Sequence, residues 1–186
     1  MSVAKHNLKY AVAALSATVL FSLPLAAQGP TVEDMLSDLA SVGPEEAARL
    51  EKEIRHRWSQ SGSSAMDLLL KRGRNALQAG ETDEAIEHLT ALTDHAPGFA
   101  EGWYERSLAY FHAGLYGPAM ADLERALALN PQHFGAILGL AVILEQTEKP
   151  KLAYEAYLKV QEIHPHHEEV AEALTRLQAR ARGSDL

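Results

Sequence analysis

The sequence predicts an all-α solenoid in which pairs of helices repeat along the chain, and three observations carry that prediction. Pro97, Pro131 and Pro165 stand 34 residues apart, a period of the size that marks stacked supersecondary units. Within each period the apolar residues fall at steps of three and four, as on one face of a helix. The 186 residues also include no cysteine, while 47 % of them are hydrophobic. A fold held by packing alone is therefore required, and a repeat stack supplies one.

The N-terminal segment 1–27 reads as an export signal. Lys5, His6 and Lys9 form a basic lead, Tyr10–Leu23 is apolar with small hydroxyl interruptions, and Pro24-Leu25-Ala26-Ala27 supplies a helix breaker and the small residues of a cleavage site. Cleavage is expected after Ala27, with Ala26 as the alternative. The rival reading is an uncleaved anchor, but the apolar stretch is short against the roughly 20 residues of a spanning helix.

Residues 28–62 are expected to hold a helical pair and a linker. Thr31 with Asp34 resembles a capping pair, followed by the stripe Val32, Met35, Leu36 and Leu39. Gly43-Pro44 with Glu45 and Glu46 starts a second helix, with Ala47, Leu50, Ile54 and Trp58 on one side. This pair does not fit the 34-residue register and is read as a cap. Ser59–Ser64 is a small, polar loop, with Ser64 and Asp67 opening the repeats.

Three repeats are placed within residues 63–165, at about 66–97, 100–131 and 134–165. A shift of one period superimposes Gly80 on Gly114, Ala85 on Ala119 and Ala153, Leu89 on Leu123 and Tyr157, and Leu69 on Trp103 and Ile137. Gly73, Ser107 and Ala141 align as small residues. In the middle unit one helix covers Phe99–Ala113 and ends at Gly114, suited to the left-handed conformation. Pro118 sits in the first turn of the next helix, where a missing N–H costs nothing, and Asn130-Pro131 stops it. Thr82 or Asp83 is the expected N-cap in the first unit, and Pro150 the restart in the third. Gly73 with Ala85, Ser107 with Ala119, and Ala141 with Ala153 are expected to be points of close helix approach. Residues 166–186 form a last helix and a tail, with Val170, Leu174 and Leu177 on the buried face.

This arrangement resembles the tetratricopeptide repeat: a large residue early in the first helix, a small one at its middle, an alanine and then a large residue in the second, and a closing proline. The resemblance covers Met66 to about Pro165 and implies a right-handed solenoid. Arg72 and Arg106 depart from the favoured Leu, Ala76 and Leu144 from Tyr, and Glu148 from the turn Gly. Looser packing is expected in the first repeat.

Function is legible only by class. The formal net charge is −8, and more negative once Lys5 and Lys9 are removed, which disfavours nucleic acid and anionic lipid as partners. The sequence carries no zinc-protease, phosphate-loop, nucleophile-elbow or dinucleotide motif, no cofactor is implied, and the chain is read as a non-enzyme. His164, His166 and His167 around Pro165, with Glu168 and Glu169, have a composition that could hold a metal; the plainer reading is an exposed turn. His95, His112 and His133 are read as surface residues.

The family resemblance implies a concave groove lined by the first helices and holding a peptide. The groove positions are Arg74, Glu101, Tyr104, Leu108, Phe111, Leu138 and Val142, with Asp67, Leu70, Leu77, His112, Gly135 and Glu145 alongside. Family members that grip a C-terminal carboxylate use Lys, Asn and Arg; here Leu70, Glu105, Gly135 and Gly139 occupy those places and only Arg74 is basic. The expected function is an exported, periplasmic adaptor of a Gram-negative bacterium that binds a protein or peptide segment. A membrane-tethered scaffold and a metal-binding protein built on His164–Glu169 are the alternatives.

Overall fold

The computed structural model describes residues 29–183; the signal-like segment 1–27 lies outside them. Among the described residues there are nine α-helices and no strand: α1 (Val32–Leu39), α2 (Pro44–Trp58), α3 (Ser64–Ala79), α4 (Thr82–His95), α5 (Ala100–His112), α6 (Tyr116–Leu129), α7 (Phe134–Gln146), α8 (Pro150–Ile163) and α9 (Glu168–Gly183). Helices α3–α4, α5–α6 and α7–α8 pair as antiparallel hairpins. They stack in chain order, α5 against α4, α7 against α6 and α9 against α8, forming an all-α solenoid.

Local chemistry sets the boundaries. Thr31 accepts the Asp34 N–H at 3.1 Å and Asp34 accepts the Thr31 N–H at 3.0 Å, a reciprocal capping box on α1. Gly43 is the N-cap of α2, with Pro44 at the first position. The first helix of every repeat ends in one geometry, with backbone bonds closing around a left-handed residue. Gly80 (φ 78°), Gly114 (φ 73°) and Glu148 (φ 57°) take that place. The N–H groups of Glu81, Leu115 and Lys149 then bond back to the carbonyls of Ala76, Tyr110 and Leu144 at 2.8–2.9 Å.

Among the described residues, Glu148 alone carries a side chain in this backbone region, which costs an L-residue about 1–2 kcal/mol. Glu148→Gly is therefore expected to raise stability by up to about 1 kcal/mol, after the entropy that glycine adds to the unfolded chain. A higher midpoint in denaturant would show it.

Several expected boundaries shift by a residue or two, including α5, which runs Ala100–His112 rather than Phe99–Ala113. The N-cap of α4 is Glu81 rather than Thr82 or Asp83, and that of α3 is Ser63. Asp67 does not cap α3: it accepts the Ser61 N–H at 2.9 Å and the Ser61 hydroxyl at 2.6 Å, fixing the loop before the helix.

The small residues lie in the hairpin cores. Ala85, Ala119, Ala141 and Ala153 are fully buried and Ser107 nearly so. A Cβ on Gly73 would lie 2.5 Å from Leu89 Cγ, so the residue that glycine makes room for is Leu89, four positions beyond Ala85. Ala119 shares its core with Tyr104, Leu123, Ala126, Ala136 and Ile143. Ala119→Leu is expected to cost about 1–3 kcal/mol by overpacking, and an unchanged thermal melt would contradict this packing. Pro97, Pro131 and Pro165 stand exposed in the connections between repeats.

The N-terminal pair is the main departure from expectation. It does not cap the first repeat. Met35, Leu36, Leu39, Ala47 and Ile54 join one core with Phe134, Tyr157, Val160, Val170 and Leu177, at the opposite end of the solenoid. Helix α1 rests on α8. From there α2 runs back toward the first repeat, which leaves it across the helices expected to line the groove.

Candidate protein-binding groove

The C-terminal end of α2 meets a polar network that joins three repeats, through Ser59 and the Trp58 ring. Arg74 of α3 donates to Ser59 at 2.9 Å, to Glu105 of α5 at 2.7 Å, and to Glu101 of α5. Both carboxylates are buried. Glu101 also meets His133 Nε2 at 2.9 Å, while His133 Nδ1 accepts the Ala136 N–H at 3.1 Å and so caps α7. That second bond fixes the tautomer: the proton sits on Nε2 and is donated to Glu101. The Trp58 ring stacks on His133 at 4.5 Å, and Tyr104 lies against the same imidazole at 4.6 Å. Phe134, 1 % exposed, packs 5.0 Å from Trp58 and lies under Arg55.

This geometry corrects several expectations. His133 is a buried capping residue, not a surface one; His95 and His112 are exposed. Arg74 and Glu101 are not free groove positions, because they form an ion network, while Tyr104, only 8 % exposed, still lines the open cleft described below. Burial pushes the Tyr104 hydroxyl up to about 12, with the Arg55 guanidinium pulling the other way. Burial likewise raises the Glu105 carboxyl above its usual range, against the opposing pull of Arg74.

The histidines around Pro165 anchor the other end of α2. His164 is buried rather than in an exposed turn, and its Nε2–H donates to Glu51 at 3.1 Å. His166 donates to the Val42 carbonyl at 2.9 Å. The two imidazoles thus reach for different partners, and among the described residues no group of three or more His, Asp or Glu is disposed to hold a metal ion. The His164 hydrogen bond draws the Glu51 carboxyl down to about 2, with Arg55 contributing, while burial lowers His167.

These shifts set an acid response. A depressed carboxyl contributes stability that is complete above its unfolded pKa and is lost as pH falls from about 4.5 through about 2. A depressed histidine acts in the same direction, its contribution fading as pH drops below about 6.5. Glu105 opposes both, since its raised pKa favours the folded state on acidification. The expected net result is acid-weakened docking of α2, and Glu51→Gln should flatten the part between pH 4.5 and 2. Trp58 fluorescence against pH measures it.

Beyond α2 the concave face remains open. Leu108 and Phe111 of α5 face Leu138 and Val142 of α7 around a cavity of about 210 Å³, with His112 and Glu169 at its rim. It continues into a second cleft of about 570 Å³ that shares Leu138, Val142 and Glu169 and is walled by Tyr157, Glu172 and Arg176. Arg176 grips Glu145 through two bonds of 3.0 and 2.9 Å, and burial together with Glu145 pushes the Tyr157 hydroxyl up to about 12. Of the carboxylate-clamp places, Leu70 and Gly135 are buried and Gly135 leaves room for the Tyr104 hydroxyl.

Comparison with known proteins fits this architecture. Family models of the tetratricopeptide repeat match residues 70–122 and 110–177. A tetratricopeptide repeat-containing protein of Rhizobium etli is 30 % identical over 141 residues, covering 76 % of this chain and 69 % of the relative. The chain belongs to the tetratricopeptide-repeat family. Among solved structures of the family, the first such domain of human RPAP3 is 26 % identical with a TM-score of 0.60, over 64 % of this chain and 93 % of that one. An RPAP3 first domain bound to the HSP90 peptide SRMEEVD is 25 % identical, TM-score 0.60, over 62 % and 91 %. MamA is 26 % identical, TM-score 0.59, over 63 % and 70 %.

The tetratricopeptide register does not disclose the strap. Glu51, Arg55 and Ser59 lie outside the repeat, so nothing in the 34-residue period connects them to α5 or to His164. One signal is present: Trp58 closes an amphipathic stripe that has no repeat partner, and a stripe of that kind needs a surface to cover. The repeat pattern marks Arg106 only as a departure from Leu. In the structure it makes two bonds to Asp122, at 2.7 and 2.9 Å, with its guanidinium 4.9 Å from the Trp103 ring, and so joins α5 to α6.

Proposed function

We propose that the protein is a non-catalytic binding module of the bacterial envelope, exported on a cleaved segment 1–27, that holds a segment of a partner protein in the cleft between α5, α7 and α9. The observation that carries this reading is the apolar cleft left open beside α2, floored by Leu108, Phe111, Leu138 and Val142. Apolar clefts flanked by a few polar groups are where segments of partner chains dock. Related domains support it, since an RPAP3 domain has been solved with a peptide. Export rests on the basic lead, apolar stretch and small residues of the N-terminus.

A photo-crosslinking residue at position 108, expressed in the native host, should capture a partner chain by a defined segment. The same residue on the exposed outer face, at position 124, should not. Capture at both positions or at neither would remove the groove assignment. Mass spectrometry of the exported protein should give Gln28 as its first residue. Retention of Met1 would replace export of a cleaved protein by the membrane-tethered scaffold.

A further inference from the structure

We propose that this cleft selects a segment bearing an aliphatic or aromatic anchor with lysine or arginine within about one helical turn of it, and rejects acidic C-terminal peptides. The inference rests on the peptide-binding reading above and specifies the chemistry of the occupant.

Two observations carry it. The first is the fate of Arg74, the basic side chain among the expected groove positions. Two buried carboxylates, Glu101 and Glu105, and the Ser59 hydroxyl take up its donors. Ser59, capping the end of α2, completes that set, so an incoming carboxylate would meet a cation already neutralised beside buried negative charge. The second is the charge of the open part. Its floor is apolar, and its α9 wall presents Glu169 and Glu172, both exposed and one helical turn apart. The positive charge there, Arg176, is held bidentately by Glu145. An apolar anchor entering between α5 and α7 thus brings the residues beside it against net negative charge. A cation there gains Coulomb energy that a carboxylate would lose.

The test uses the full mature chain and three fluorescein-labelled amphipathic peptides of about four helical turns. One carries leucine anchors with lysines on the adjacent turn, the second has those lysines replaced by glutamate, and the third has the leucines replaced by serine. Fluorescence anisotropy at low ionic strength should rank the lysine peptide at least tenfold tighter than the glutamate peptide. The serine peptide should not bind. Added salt should narrow the tenfold gap. The exposed pair Glu169→Lys with Glu172→Lys should invert the ranking while leaving the helical content at the assay temperature unchanged. If the lysine and glutamate peptides bind equally and both compete with crosslinking at position 108, the charge inference is overturned and the binding reading stands. If no peptide binds, or crosslinking at position 108 yields only a second copy of this chain, both fall.

Discussion

Phe134→Ala should lower the unfolding free energy by about 3–5 kcal/mol, the cost of emptying a fully buried aromatic site. Few side chains join as many separate elements. The ring lies 1 % exposed at the start of α7, 5.0 Å from Trp58 of α2, edge-on to His164 at 5.8 Å, and beneath the Arg55 guanidinium. Its loss should detach α2 as well as loosen α7. In guanidinium titrations the midpoint should fall, and Trp58 fluorescence should change before helical ellipticity does. A variant with wild-type stability would show that the strap is held without this contact.

Arg74→Met should cost about 3 kcal/mol, the low end of what breaking a buried ion pair costs, because the guanidinium is 32 % exposed while its partners are buried. The loss comes mainly from Glu101 and Glu105, which would be left as adjacent buried carboxylates without their cation. A second substitution separates this from lost packing. Arg74→Met combined with Glu105→Leu should be more stable than Arg74→Met alone, a coupling of the kind double-mutant cycles measure. Equal or lower stability of the pair would place the cost in packing instead.

The repeats were legible because each of their contacts is local and periodic. Leu89, Leu123 and Tyr157 are buried at the same step of the period, and the pattern of small and large residues states which helices approach. What the period does not encode is where a non-repeating element lands. The stripe Met35, Leu39, Ile54 and Trp58 announces a buried face without saying against what, and the partner surface at His133 and Phe134 begins far downstream, in the third repeat. The same gap explains the groove. Leu108, Phe111, Leu138 and Val142 were placed by register and line the open cleft. Arg74, Glu101 and Tyr104 were placed by the same register; Tyr104 does line that cleft, but Arg74 and Glu101 are taken up by Ser59, Glu105 and His133, and a register cannot report partners supplied by other parts of the chain.

The strap also changes when the protein can finish folding. A solenoid built from neighbour contacts can nucleate anywhere and grow from either end, and its low contact order makes it fast. The bonds from Glu51 to His164 and from Val42 to His166 span 113 and 124 residues. Closing a loop of that size costs roughly 4 kcal/mol of chain entropy, recovered only when α2 docks. Synthesis runs from the N-terminus, so α1 and α2 emerge well before the surface they cover. Until α8 and the turn beyond it have formed, Met35, Leu39, Ile54 and Trp58 have no surface to cover. A nascent chain therefore carries this apolar stripe unsheltered until α8 and the turn after it are made, and their docking ends that exposure.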